Sequence, residues 1–249
     1  IKSFYYDQVQ PSNTTKIIET RLMIRKESGW IFAEYVWNDA QTQATLQMEG
    51  SYKNIEWLNE ANVLKSANYR IPSETECLIC HKSNNTGVPI GTKPQNLNFD
   101  YAYANGAKNQ LVYWKEKGYL QDNTPIPALS VVNYRDENQP LDLRVRSYLD
   151  INCAHCHQSN SHCDYRPIRL AFSETISPDN MGICVPPDQN IGASLTNIIT
   201  PNNINRSVMH FRLNSNDDAY KMPLLGRSIQ HEEGIQLLSS YINSLSPCD

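Results

Sequence analysis

The sequence has no run of about 18 apolar residues, so nothing in it reads as a bilayer span. It also lacks a basic patch: its 22 lysines and arginines are scattered among 26 acidic residues, with a formal charge of −4, which argues against nucleic acid as a partner. A basic-then-apolar leader is missing as well. The sequence opens at Ile1, and any signal peptide is expected to have been removed. No low-complexity tract occurs. Methionine and histidine are scarce, with 5 and 6 residues, so few side chains are available as thioether or imidazole ligands. What is present, 40% hydrophobic and 19% charged residues over 249 positions, suffices for one large core or two modest ones, and two small domains are expected.

The N-terminal third reads as strands. KIIETRLMIR, WIFAEYVW and QTQATLQM, between Lys16 and Met48, are rich in β-branched and aromatic residues with partial two-residue alternation. Breaks fall at Glu27-Ser28-Gly29 and Asn38-Asp39. The pattern predicts an antiparallel sheet, continued by a strand over Asn54 to Leu58.

From Ser73 the pattern turns helical. Ser73-Glu74-Thr75-Glu76 spells a capping box after Pro72 and predicts a helix carrying Cys77 and Cys80. A second helix is expected from Asn105 to Lys117, stopped by Gly118. Three prolines between Pro125 and Pro140 mark a linker. Asp142 to Asp150 is predicted helical, with Val145, Tyr148 and Leu149 on one side. A final helix, capped by Ser228, would set Ile235, Leu238, Ile242 and Leu245 on one face.

Four of the seven cysteines fall in two C-x-x-C-H pentads, CLICH at Cys77 to His81 and CAHCH at Cys153 to His157. In such a pentad the two sulfurs can each add to a vinyl group of haem, and the histidine that follows turns its imidazole onto the iron. A zinc site or a thiol redox pair also uses C-x-x-C. Zinc, however, wants two close ligand pairs, and these pentads stand far apart in the chain. Two pentads, each closed by histidine, point to two covalently bound haem c groups. Cysteines 77, 80, 153 and 156 would hold the cofactors, and His81 and His157 would ligate the irons. Of the remaining Cys163, Cys184 and Cys248, the expectation is that Cys184 is oxidised, with either of the others as partner.

Met222, in KMPLLG, is the expected sixth ligand of the second iron. The order of helix, pentad, long loop, Met-Pro and terminal helix over residues 142 to 245 resembles class I cytochromes c. A thioether sulfur is a soft donor that favours ferrous iron and raises the reduction potential. Between His81 and the linker there is neither methionine nor histidine, so something else occupies the sixth position of the first iron, or nothing does; Met23, Met48, Met209 and His210 are the candidates. Gln95 to Asn98 offers amides for haem propionates, or is simply a polar loop. His155, His162 and His231 read as solvated or hydrogen-bonded side chains.

The ETRL strand at Glu19 to Leu22, the GW…YVWN strand at Gly29 to Asn38, RSYLDINCAHCH at Arg146 to His157 and MPLLG at Met222 to Gly226 together resemble a family of exported bacterial di-haem c-type cytochromes of unassigned role. The resemblance spans about Glu19 to Leu245. It implies a mixed α+β protein in which an antiparallel β-rich part (1–72) precedes two mainly α-helical cytochrome c-like haem segments (73–124 and 141–249), joined by a linker (125–140). The expected role is electron transfer outside the cytoplasm, in the periplasm or at the cell surface, with a redox protein as partner. A di-haem peroxidase-like enzyme with an open first haem, and a haem-bearing structural subunit of an extracellular assembly, are the alternatives. No acidic and amide constellation for peroxide chemistry is recognisable in the sequence.

Overall fold

The computed structural model describes residues 1–7, 15–59, 61–126 and 129–248. Positions 8–14 and 60 of the expected β-rich part, 127–128 of the expected linker and the terminal 249 lie outside them. In chain order the elements are β1 (Lys2–Asp7), β2 (Thr15–Lys26), β3 (Gly29–Trp37), β4 (Ala44–Leu46), β5 (Ser51–Leu58), β6 (Leu64–Ile71), α1 (Glu74–Cys80), β7 (Lys82–Ser83), β8 (Thr86–Gly87), α2 (Pro94–Leu97), β9 (Asp100–Tyr103), β10 (Gly106–Asn109), α3 (Gln110–Glu116), α4 (Leu141–Asn152), α5 (Pro178–Met181), α6 (Val208–Asn214) and α7 (Glu232–Ser244). The fold is therefore mixed, with antiparallel sheets leading and helices following. Among the described residues no helix is long and apolar enough to cross a membrane.

The chain packs as two compact units. The first comprises residues 1–88, 160–162 and 209–235; the second comprises 89–159, 163–208 and 236–249.

In the first unit β1, β2, β3 and β4 form an antiparallel sheet in that order, and β5 pairs with β6 in a separate ribbon. The β2–β3 hairpin closes at Lys26 opposite Gly29, whose φ of 128° suits a residue without a Cβ. Its register sets Glu19 opposite Val36, Arg21 opposite Glu34 and Met23 opposite Phe32. Because side chains alternate between faces, these six residues share one face of the sheet. Ile18, Ile55 and Ile71 form a buried cluster, with Val36, Trp57, Ala67 and Tyr69 packed against it.

The second unit is built around α4. Its buried side includes Val145, Tyr148 and Leu149, the three residues that periodicity selects. In α7, Leu237, Leu238, Tyr241 and Ile242 are buried. The Tyr241 hydroxyl donates to Asp142 at the start of α4 (3.2 Å), so the terminal helix touches the helix that precedes the second pentad. A disulfide joins Cys184 to Cys248, with Cα atoms 5.9 Å apart. Of the two partners the sequence offers Cys184, it is the C-terminal one that closes the bond. The described part of the expected linker has no helix or strand, yet it is tied down: Val131 N–H donates to the Gln95 carbonyl (3.1 Å) and Val132 N–H to Ser147 Oγ (2.9 Å).

Two helix limits differ from expectation. Residues 105–109 extend a hairpin instead of opening a helix, because Ala104-Asn105 forms a two-residue turn and Gly106 (φ 109°) pairs with Tyr103. Asn109 then caps α3, its Oδ1 accepting from the N–H groups of Leu111 and Val112. Ser228 is not the cap of α7, which begins only at Glu232; its Oγ accepts instead from the N–H of Arg70 (3.3 Å).

Candidate functional site

The first pentad is positioned by a local structure its flanking sequence dictates. Ser73 caps α1 with both halves of the capping box, its Oγ accepting from Glu76 N–H while its own N–H donates to the Glu76 carboxylate (2.7 Å). Arg70 pairs with the same carboxylate at 2.6 Å. Burial opposes charge on Glu76, but the Ser73 N–H and Arg70 outweigh it and hold the carboxyl below its usual range. Gly50 (φ 74°) presses against this cap: a Cβ there would stand 2.8 Å from the Ser73 nitrogen.

Along α1, Cys77, Cys80 and His81 follow at three- and four-residue spacing and lie on one side of the turn. Thr75, Leu78, Ile79 and Lys82 take the other side and, with Asn85, Gly87 and His162, line an open recess of about 310 Å³. His162 is exposed, as expected.

His81 ends the helix, its N–H donating to the Cys77 carbonyl (2.9 Å). The next residues turn back at once. Asn84 (φ 48°) and Asn85 (φ 60°) form a two-residue turn of the kind asparagine tolerates, pairing Lys82 with Gly87. That register places Val88 opposite His81: Val88 N–H donates to the His81 carbonyl (3.0 Å), and the Val88 carbonyl lies 3.1 Å from His81 Nδ1. A carbonyl can only accept, so Nδ1 carries the proton and Nε2 carries the lone pair of the neutral ring. His81 thus has the tautomer that a metal-binding imidazole needs. Its ring lies 5.3 Å from that of Phe32.

The second pentad follows α4. Cys153 caps the helix, its N–H donating to the Leu149 carbonyl (2.8 Å), and His157 N–H returns to the Cys153 carbonyl (3.0 Å). Burial pushes the Cys153 thiol up to about 12. The helix is fixed by its polar side chains. Asp150, fully buried, accepts from Phe172 N–H (2.9 Å) and pairs with Lys93 (3.1 Å). Arg146 donates to Thr175 Oγ1 (3.0 Å) and the Phe172 carbonyl (2.8 Å), with its guanidinium over the Phe172 ring. The loop after the pentad is thereby clamped to α4, and Leu170 N–H donates to the His157 carbonyl (2.9 Å). The disulfide Cys184–Cys248 uses none of the four pentad sulfurs.

The other candidates are placed as follows. Cys77, Cys80, His81 and Met222 belong to the first unit, and Cys153, Cys156 and His157 to the second. Met222 is half-buried, its N–H donating to the Arg212 carbonyl (3.0 Å), and the Met222–Pro223 bond is cis. Met23, Met48, Met209 and His210 all lie in the first unit with His81. Met23 neighbours Phe32 across the β2–β3 ladder, and the Met48 carbonyl accepts from Glu74 N–H at the start of α1 (3.0 Å). Burial lowers the His210 pKa. Asn96 is engaged with Asp150 and Asn98 with Asn109. His231 is exposed, whereas His155 is half-buried and its Nδ1 has no hydrogen-bond partner among the described residues.

A group that the sequence did not reveal stands on the β2–β3 face beside α1. Arg21 donates to both oxygens of the fully buried Glu19 (2.5 and 3.1 Å) and lies 3.4 Å from Glu34, while the Tyr69 hydroxyl donates to Glu19 (2.6 Å). Burial and Glu19 together raise the Tyr69 hydroxyl's pKa well above its usual value. Period-two alternation marks these positions as one face, but their burial and the bond from distant Tyr69 are not local signals.

No family model matches the chain, nor does any curated protein or solved structure.

Proposed function

We propose that the protein is a di-haem c-type cytochrome that transfers single electrons outside the cytoplasm. The reading rests on two C-x-x-C-H pentads, each entered from a helix, and is supported above all by the His81 ring, whose Nδ1 is committed to the Val88 carbonyl. A haem at each pentad would supply a reversible one-electron iron couple. Cysteines 77 and 80 would tether one porphyrin and cysteines 153 and 156 the other. The imidazoles of His81 and His157 would each give one axial ligand, and Met222 would give the second iron a soft sixth ligand.

Each chain segment has a definable part in this scheme. The Val88 carbonyl orients the His81 ring and raises its basicity. The Asp150 and Arg146 clamps hold the loop that follows His157 against α4. The same motif resembles the family of exported di-haem cytochromes, and the Cys184–Cys248 disulfide suits a periplasmic or cell-surface setting. The partner would be a redox protein.

The visible spectrum of the reduced protein, with and without carbon monoxide, tests the electron-transfer role. Spectra that do not change with carbon monoxide are expected, with Met222 on the second iron and one of Met23, Met48, Met209 or His210, which share the first unit with His81, on the first. A shift at one haem would mean an open iron and would replace this role by a peroxidase-like one.

A further inference from the structure

The Glu19–Leu22 and Gly29–Asn38 stretches carry none of the residues expected to tether or ligate a haem, and they build a cluster of charges in the first unit. Glu19 is 0% exposed and Glu34 4%. Both Glu34 oxygens are buried without a hydrogen bond among the described residues. Arg21, its ion-pair partner among the described residues, spends its Nε and one terminal nitrogen on Glu19, so two carboxylates share a single guanidinium. With both acids ionised the cluster holds one uncompensated negative charge in a buried place, which is costly.

Two members of the cluster, Arg21 and Glu19, lie near enough to the first pentad to act on Cys77. Burial pushes the Cys77 thiol up, and against that background Arg21 pulls it down while Glu19 pushes it further up. On the same sheet face, Phe32 packs against His81.

We infer that Glu19, Arg21 and Glu34 form a proton-binding site linked to the oxidation state of the first haem, with Glu34 as the group that gains and loses the proton. The inference rests on the di-haem reading. Were a haem held at the first pentad to gain one electron from a redox protein, Glu34 would take one proton from solvent and pass from carboxylate to carboxylic acid, and reoxidation would return both. The positive charge lost at the iron is what lets the proton stay. Arg21 from β2 faces Glu34 at 3.4 Å, and through it Glu19 of the same strand; the Tyr69 hydroxyl from β6 reaches Glu19, and Arg21 and Glu19 act on Cys77 of α1. Behind them lie Phe4, stacked under Arg21 at 4.2 Å, and Lys2, 4.8 Å from the Phe4 ring, both from β1; Glu74 of α1 acts on Cys77. None of these supplies a second cation to Glu34.

The sign follows from linkage. Ferrous iron raises the proton affinity of Glu34, so the first haem's potential falls with rising pH between its ferric and ferrous proton affinities, and is flat outside that window. Full coupling changes the reduction equilibrium tenfold per pH unit, about 59 mV for one electron. Spectroelectrochemistry of the holoprotein between about pH 5 and pH 9 tests this. One of the two haem waves is expected to slope and the other to stay flat. Glu34→Gln should abolish the slope and raise that wave's potential at the alkaline end. Should Glu34→Gln fail to fold, Tyr69→Phe serves: removing the hydroxyl that stabilises the Glu19 carboxylate should move the sloping window to higher pH. Two flat waves in the native protein, or a slope that survives Glu34→Gln and so belongs to haem propionates, would overturn the inference while leaving the di-haem reading intact. A protein whose mass shows no haem would overturn that reading and the inference with it.

Discussion

The Nδ1 nitrogen of His81 lies 3.1 Å from the carbonyl oxygen of Val88, seven residues further along the chain. Two asparagines in left-handed conformation make that approach possible, by folding Lys82 back onto Gly87. A ring held in this way presents its other nitrogen, Nε2, in a fixed direction, as an axial ligand would require.

The capping box that launches α1 should govern the stability of the first unit. Ser73→Ala is expected to cost about 0.5–2 kcal/mol in chemical denaturation. Glu76 adds a pH dependence. Its carboxyl ionises below its usual range in the fold, so its contribution is complete above the unfolded value and is lost as pH falls through the folded one. Thermal unfolding of Glu76→Gln should lose the part of the acid-side decline that the native protein shows.

Asp150 is expected to be the most sensitive position of α4. Removing it leaves the Phe172 N–H and the Lys93 ammonium without their buried acceptor. Asp150→Ala should cost about 3–5 kcal/mol. Lys93→Ala should cost less than Asp150→Ala, since the carboxylate keeps the Phe172 N–H. Equal losses in denaturant titrations would show that the clamp on the loop is not what Asp150 provides.

The C-terminus should be pinned by its disulfide. Cys184 and Cys248 are separated by 64 residues, and opening the bond releases that loop in the unfolded chain. Cys248→Ser is expected to cost about 2–5 kcal/mol. Peptide mapping without reduction should recover Cys184 linked to Cys248.

Several of these features are legible in the sequence. Ser73-x-x-Glu76 announces α1, and Val145, Tyr148 and Leu149 mark the buried side of α4, because capping and helical periodicity are local signals. Where distant contacts decide, the signals mislead or fall silent. Ser228 resembles a cap, but it accepts a hydrogen bond from Arg70 of β6. Asn105-Gly106 carries a turn signal that outranks the helical pattern around it. Glu19 and Glu34 read as ordinary polar positions on alternating strands, yet both are buried, and the Tyr69 hydroxyl that reaches Glu19 comes from a ribbon fifty residues away.

If Met222 ligates the second iron, Met222→Ala should abolish the sulfur-to-iron charge-transfer band at the red edge of the ferric spectrum and lower that haem's potential. An unchanged band and potential would place the ligand elsewhere.

The most direct test of the account is the mass of the denatured polypeptide. Covalent attachment through Cys77 and Cys80, and through Cys153 and Cys156, predicts a chain heavier than its sequence by two haems, falling to one haem when either cysteine pair is replaced by alanine. A chain at its bare sequence mass, or one haem in the unaltered protein, would contradict it.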